Sequence, residues 1–142
     1  PIYYEFQPGK APVLRDGDDL VIFACGYMVH QALAAAAELM DQGISTAVVN
    51  VNTIKPLDTE TVVKFARRCG AVITAEEHSI IGGLGGAIAE VLGEEHPTPL
   101  VRIGVRDTFG ESGKPGELME KYGLTFEKIV EAGNKLRSRK PI

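Results

Sequence analysis

The sequence predicts an α/β fold of three layers, α/β/α, with helices on both faces of a mostly parallel sheet and one antiparallel edge strand. Three observations carry that expectation. Leu20-Val21-Ile22-Phe23-Ala24 is apolar at every position, not at every second one, which is how a strand buried on both faces reads. Apolar stripes at helical spacing follow such runs, so strand and helix alternate along the chain. Finally, Ala71, Val72 and Ile73 lead into the polar loop Glu76-Glu77-His78, and Gly82-Gly83-Leu84-Gly85-Gly86 then opens an amphipathic helix. Open α/β sheets place their working surface at strand ends of this kind.

The elements follow in order. Val13-Leu14 supplies the edge strand, and Asp16-Gly17-Asp18-Asp19 turns the chain into the first apolar run. Val29, Ala32, Leu33, Ala36, Leu39 and Met40 form a helical stripe that Gly43 ends in the usual cap position. Ala47-Val48-Val49-Asn50-Val51 is a second β-branched run. In Thr53-Ile54-Lys55-Pro56-Leu57-Asp58, Pro56 holds Lys55 extended, and Asp58 caps a helix whose first turn carries Glu60. Val62, Phe65, Ala66 and Cys69 are that helix's inward stripe; Leu84, Ala87, Ile88, Val91 and Leu92 are the next one's. Leu100 to Val105 reads as a fourth strand, Asp107 to Gly113 as an irregular segment, Leu118, Met119 and Tyr122 as a short helix, and Thr125 as the start of a last helix with Phe126, Ile129 and Val130.

A chain of 142 residues, 44% hydrophobic, is large enough to bury one core without a disulfide or metal. We expect residues 1–10 to be a linker or a cut boundary, since Pro1 to Phe6 carries aromatics with no apolar partner nearby, and residues 11–142 to be the domain. Cys25 and Cys69 are too far apart for a metal motif and too few for a disulfide scaffold, so they read as reduced thiols of a cytoplasmic protein. A net charge of −4 and the lack of aromatics interleaved with basic residues argue against nucleic acid. Arg67-Arg68 and the tail Lys135, Arg137, Arg139 and Lys140 read as favourable charge at helix C-termini. No apolar run approaches the length needed to span a membrane.

Each candidate site has a plainer alternative. The glycine turn at 82–86 presents backbone N–H groups to an anion at a helix start, but it matches neither the dinucleotide fingerprint nor a P-loop, and Glu76 and Glu77 repel anions. The plainer reading is glycine that lets the helix pack closely on a neighbouring surface, which we expect to be another domain or subunit. Glu76, Glu77 and His78 form an acid/base cluster on paper, yet adjacent strand residues point to opposite faces and no nucleophile, metal or cofactor motif accompanies them. A structural polar network is the expectation. His30 and His96 read as solvated, and Ser112 lacks the Gly-x-Ser-x-Gly frame of a hydrolase nucleophile. A flavodoxin-like strand order would bring the loops at Gly26-Tyr27 and Glu77-Ser79 together at the switch point, where a small ligand or regulator would sit.

Thr53 to Asp58, Ala75-Glu76-Glu77-His78 with Gly82-Gly83-Leu84-Gly85, Asp107-Thr108-Phe109-Gly110-Glu111-Ser112-Gly113, and Tyr122-Gly123-Leu124-Thr125 together resemble the C-terminal domain of transketolases, in order and spacing. The split, or C-terminal-section, form is the nearest likeness. Pyruvate-type dehydrogenase E1 β chains and deoxyxylulose-phosphate synthase share the domain with looser motifs, and the Phe109 to Gly113 segment favours transketolase.

The resemblance implies a thiamine-diphosphate enzyme of the pentose phosphate pathway that moves two-carbon ketol units between sugar phosphates. It also implies that thiamine diphosphate and magnesium are held by domains absent from this sequence. No catalytic, cofactor-binding or metal residue therefore carries over to a position here. The family's partners would be the thiamine-diphosphate-binding domains or subunit, in a homodimer or heterotetramer. By the same likeness Glu77, His78, Gly82, Gly83, Gly85, Gly86, Phe109, Glu111 and Ser112 are candidate interdomain or interface residues, in a domain that braces the others. A C-terminal docking domain of the E1 β type is the alternative.

Overall fold

A computed structural model describes residues 10–79, 82–105 and 124–139. Along them run β1 (Val13–Arg15), β2 (Leu20–Ala24), α1 (Met28–Asp41), β3 (Thr46–Asn50), α2 (Thr59–Cys69), β4 (Val72–Ser79), α3 (Leu84–Glu95), β5 (Leu100–Val105) and α4 (Phe126–Arg139). The sheet order is β1-β3-β2-β4-β5. Among the described strands only β1 runs antiparallel to its neighbour; the β3-β2, β2-β4 and β4-β5 pairs are parallel. The three-layer fold read from the sequence is the fold observed.

Alternation along the central strands sorts the core into two layers. Leu20, Ile22 and Ala24 of β2 and Ile73 and Ala75 of β4 pack with Met28, Ala36 and Leu39 of α1 and Ile129 and Leu136 of α4. Val21 and Phe23, with Val72, pack on the other side with Val62 and Phe65 of α2 and Leu84 and Ile88 of α3. Every β2 residue is at most 2% exposed, which explains its unbroken apolar pattern. The inward stripe expected for α2 is the one observed. On α1 the stripe is rotated: Met28 and Ala35 are buried, and Met40 is 41% exposed. Gly70, at φ 71°, closes α2 with its N–H bonded to the Ala66 carbonyl.

The largest departure from expectation is β4. The sequence reads as a short strand followed by a polar loop, but the strand continues through Glu76, Glu77 and His78 to Ser79. Its pairing with β5 shifts between Ala75, opposite Ile103, and Ser79, opposite Val105. Four residues advance on β4 where two advance on β5, so the strand bulges at the two glutamates. Polar composition hid a strand whose two glutamates are satisfied by helix ends. The short helix expected near Leu118 to Tyr122, and the segment from Asp107 to Gly113, lie outside the described residues.

Candidate functional site at the carboxyl end of the sheet

Ignoring the antiparallel β1, the parallel strands are ordered second, first, third, fourth, which is the flavodoxin-like order. Its switch point falls between β2 and β4, where the chain leaves toward opposite faces and opens a crevice at the strands' carboxyl ends. The two glutamates sit at this crevice and serve opposite layers. Glu77 continues the Ile73 and Ala75 row toward α1, and its Oε1 accepts the Tyr27 N–H at 3.1 Å. Glu76 continues the Val72 and Thr74 row toward α3, where its two oxygens accept the Leu84 N–H at 2.9 Å and the Gly85 N–H at 2.7 Å.

Helix starts carry unpaired N–H groups and partial positive charge, so each carboxylate occupies the position an anionic ligand would take. Their surroundings differ. Glu76 is 1% exposed, whereas Glu77 is only half-buried. Gly26, at φ +59°, leads into α1, a conformation that favours glycine, and a Cβ there would displace the Glu77 carboxylate from its bond to Tyr27. Directly after β2 comes half-buried Cys25, whose thiol pKa is raised to about 11 by burial first, then by the charges of Glu76 and Glu77. A thiol held that far above neutrality is a packed group, not a nucleophile.

The sequence-level candidates are thus partly dispersed. Glu76 and Glu77 do not share a site, so they are no acid/base pair; each is engaged with a helix. Two of the N–H groups at the start of α3, those of Leu84 and Gly85, are taken by Glu76. Gly85 is buried, and a side chain there would meet Thr74 Oγ1 at 2.9 Å and Arg102 Cδ at 3.0 Å. Its close neighbour is therefore the domain's own sheet. Gly82, at φ +76°, is exposed with open space around it, and Gly83 and Gly86 are half-buried. The backbone of His78 lies in β4, but its side chain, like Phe109, Glu111 and Ser112, lies outside the described residues. His30 is exposed and His96 half-buried. Among the described residues no group of three or more His, Cys, Asp or Glu side chains is placed to hold a metal, and no helix is long and apolar enough to cross a membrane.

Two further polar anchors complete the pattern. Asp58, the cap expected for α2, accepts the Thr61 N–H at 3.1 Å and the Thr61 hydroxyl at 2.6 Å. It also accepts the Ala11 N–H at 2.9 Å, fastening the chain ahead of β1 to α2. Burial raises the Asp58 pKa, but the hydrogen bonds from Thr61 and Ala11 and the Lys10 charge outweigh it and hold the carboxyl below its ordinary 3.8. Gln31 on α1 accepts the Phe126 N–H at 2.8 Å, at the start of α4. Sequence reasoning missed this contact and the targets of both glutamates.

Fold and site together define a doubly wound α/β domain in which the starts of the four described helices, including those at the switch point, each donate a hydrogen bond to one of the domain's own side chains. Residues 9–129 match the family described as the transketolase C-terminal domain. The chain belongs to that family. It is 54% identical over 136 residues to the 6-deoxy-6-sulfo-D-fructose transketolase subunit SqwH of a Clostridium species, covering 96% of this chain and 42% of that protein. It is 44% identical over 124 residues to the 1-deoxy-D-xylulose-5-phosphate synthase of Crocosphaera subtropica, covering 87% of this chain and 20% of that one. A solved structure described as a split gene transketolase, inactive beta4 tetramer, superposes with a TM-score of 0.91 at 51% identity, covering 97% of this chain and 45% of that one. The chain thus spans less than half the length of these relatives.

Proposed function

We propose that this chain is the C-terminal domain of a split, thiamine-diphosphate-dependent transketolase that transfers two-carbon ketol units between sugar phosphates in the cytoplasm. In that enzyme it braces the cofactor-binding domains and extends the dimer contact, and thiamine diphosphate and magnesium are held elsewhere. The observation that carries this reading is the closure of the switch point. Where a sheet of this order takes an anionic ligand, Glu76 and Glu77 already occupy the helix starts, which fits a bracing domain better than a cofactor site. Exposed Gly82 and half-buried Gly83 and Gly86 beside it leave backbone accessible for an interdomain contact; Gly85 does not.

Calorimetry of this chain with thiamine diphosphate and magnesium is expected to show no binding. Combined with all the domains of the enzyme that it lacks, it should yield ketol transfer that neither part has alone. Micromolar affinity for the cofactor by this chain alone would overturn the reading. The sulfo-sugar in the name of the Clostridium relative makes a C6-sulfonated ketose the first donor to try beside the ketose phosphates. A second reading, the C-terminal domain of a deoxyxylulose-phosphate synthase, is favoured by the 44% identity to such an enzyme. Condensation of pyruvate with glyceraldehyde 3-phosphate by the reconstituted enzyme, without ketol exchange, would select it.

A further inference from the structure

At the opposite margin of the sheet from β5, β1 is an edge strand, and among the described residues no strand pairs with its outer side. Edge strands are usually defended by shortness and charge. β1 is short, but its Val13 and Leu14 are 45% and 39% exposed, large apolar side chains where a defended edge would show polar ones. Between β1 and α2 runs a groove of about 290 Å³ lined by Val13, Leu14, Arg15, Asp16, Lys64, Phe65 and Arg68. Lys64 Nζ and Arg68 Cζ lie over the Phe65 ring, 5.7 and 4.7 Å from its centre, so both cations are held on an aromatic wall. The Asp16 carboxylate, 2.5 Å from Arg68, neutralises one of the three cations. The groove is therefore cationic on a chain whose net charge is −4.

We propose that β1 and the β1–α2 groove dock an extended acidic segment of a partner protein by strand addition. The open edge supplies main-chain hydrogen bonds, Val13 and Leu14 supply apolar contact, and Arg15 and Lys64 select acidic side chains. A second copy of this chain is the poorer occupant, because pairing β1 with β1 about a twofold axis brings two cationic grooves together. The proposal does not depend on the ketol-transfer reading, since it concerns the opposite side of the sheet from β5 and uses none of the residues at the switch point.

The probe is a short peptide of alternating glutamate and valine, with a lysine and valine peptide as control, titrated into the isotope-labelled full chain. Amide shifts confined to Val13–Arg15 and the groove face of α2 are expected for the acidic peptide only. Arg15→Glu with Lys64→Glu should weaken its binding by about tenfold or more. Should the reversed pair fail to fold, Arg15→Gln with Lys64→Gln serves, with a smaller loss in the same direction. Equal binding of both peptides, shifts centred elsewhere, or no binding of the acidic peptide up to about 1 mM would overturn the proposal. So would concentration-dependent broadening of the β1 amides without peptide, which would make the second copy the occupant.

Discussion

The start of α3 and the start of α1 are held by the same chemical group from adjacent residues, yet they are not equivalent. Glu76 gives both oxygens to two N–H groups and is sealed from solvent; Glu77 gives one oxygen to one N–H at the rim of the crevice. A carboxylate in water is already well solvated, so its worth to the fold depends on what is left unpaired when it is removed. Burial separates the two residues, and not their identity or position along the chain.

The comparison breaks most readily at Glu76. Glu76→Ala leaves two buried N–H groups without partners and should cost about 3 kcal/mol of unfolding free energy. Glu76→Gln, keeping one acceptor oxygen, should recover part of it. Urea denaturation of the three proteins checks both. A loss below about 1 kcal/mol for the alanine variant would mean that water reaches the site and that burial is not what distinguishes it from Glu77.

Asp58 sharpens the comparison with a third carboxylate at a helix start. Asp58→Ala should cost about 1 to 2 kcal/mol near neutral pH. Because its folded pKa lies below the unfolded value, its contribution is full above about 3.9 and is lost as pH falls through the folded pKa. Wild type and variant should therefore converge in stability under acid. Parallel denaturant melts from neutral pH down to the acid limit test this, and a constant gap would remove the charge from the explanation.

The smallest effect belongs to Glu77. Glu77→Ala should cost about 1 kcal/mol or less, with a second consequence at Cys25. The Cys25 thiol keeps its proton in the fold to about 11 and gives it up near 9.0 when unfolded, so wild-type stability should fall as pH rises through that window. Removing the Glu77 charge lowers that barrier, so alkylation of Cys25 in a Cys69→Ser background should quicken at alkaline pH. No change in rate would show that burial and the Glu76 charge hold the thiol up without help from Glu77.

Legibility follows the same divide between local and distant contacts. Asp58 was readable because a cap accepts from a residue three positions on, here Thr61, and the Pro56 turn marks the spot. The β2 run was readable because burial on two faces leaves nothing but apolar residues. Glu77 and Gln31 were not, because their targets, Tyr27 and Phe126, lie 50 and 95 residues away and are brought near only by the sheet order and the packing of α4 on α1. The extension of β4 was missed for another reason, since the targets of Glu76 lie only 8 and 9 residues on: polar residues look like a loop until the helix ends that satisfy them are in place. The family motifs identified the domain correctly without revealing what the Glu-Glu-His segment does.

Side chains that fill anion positions also change how the domain responds to its surroundings. A phosphate or cofactor stabilises a fold by mass action, so the gain rises and falls with its concentration. Glu76 and Glu77 are covalently attached and present at fixed stoichiometry, so the helix starts at the switch point are as well organised when metabolites are scarce as when they are abundant. Organisation of these two helix starts is thereby independent of metabolite supply.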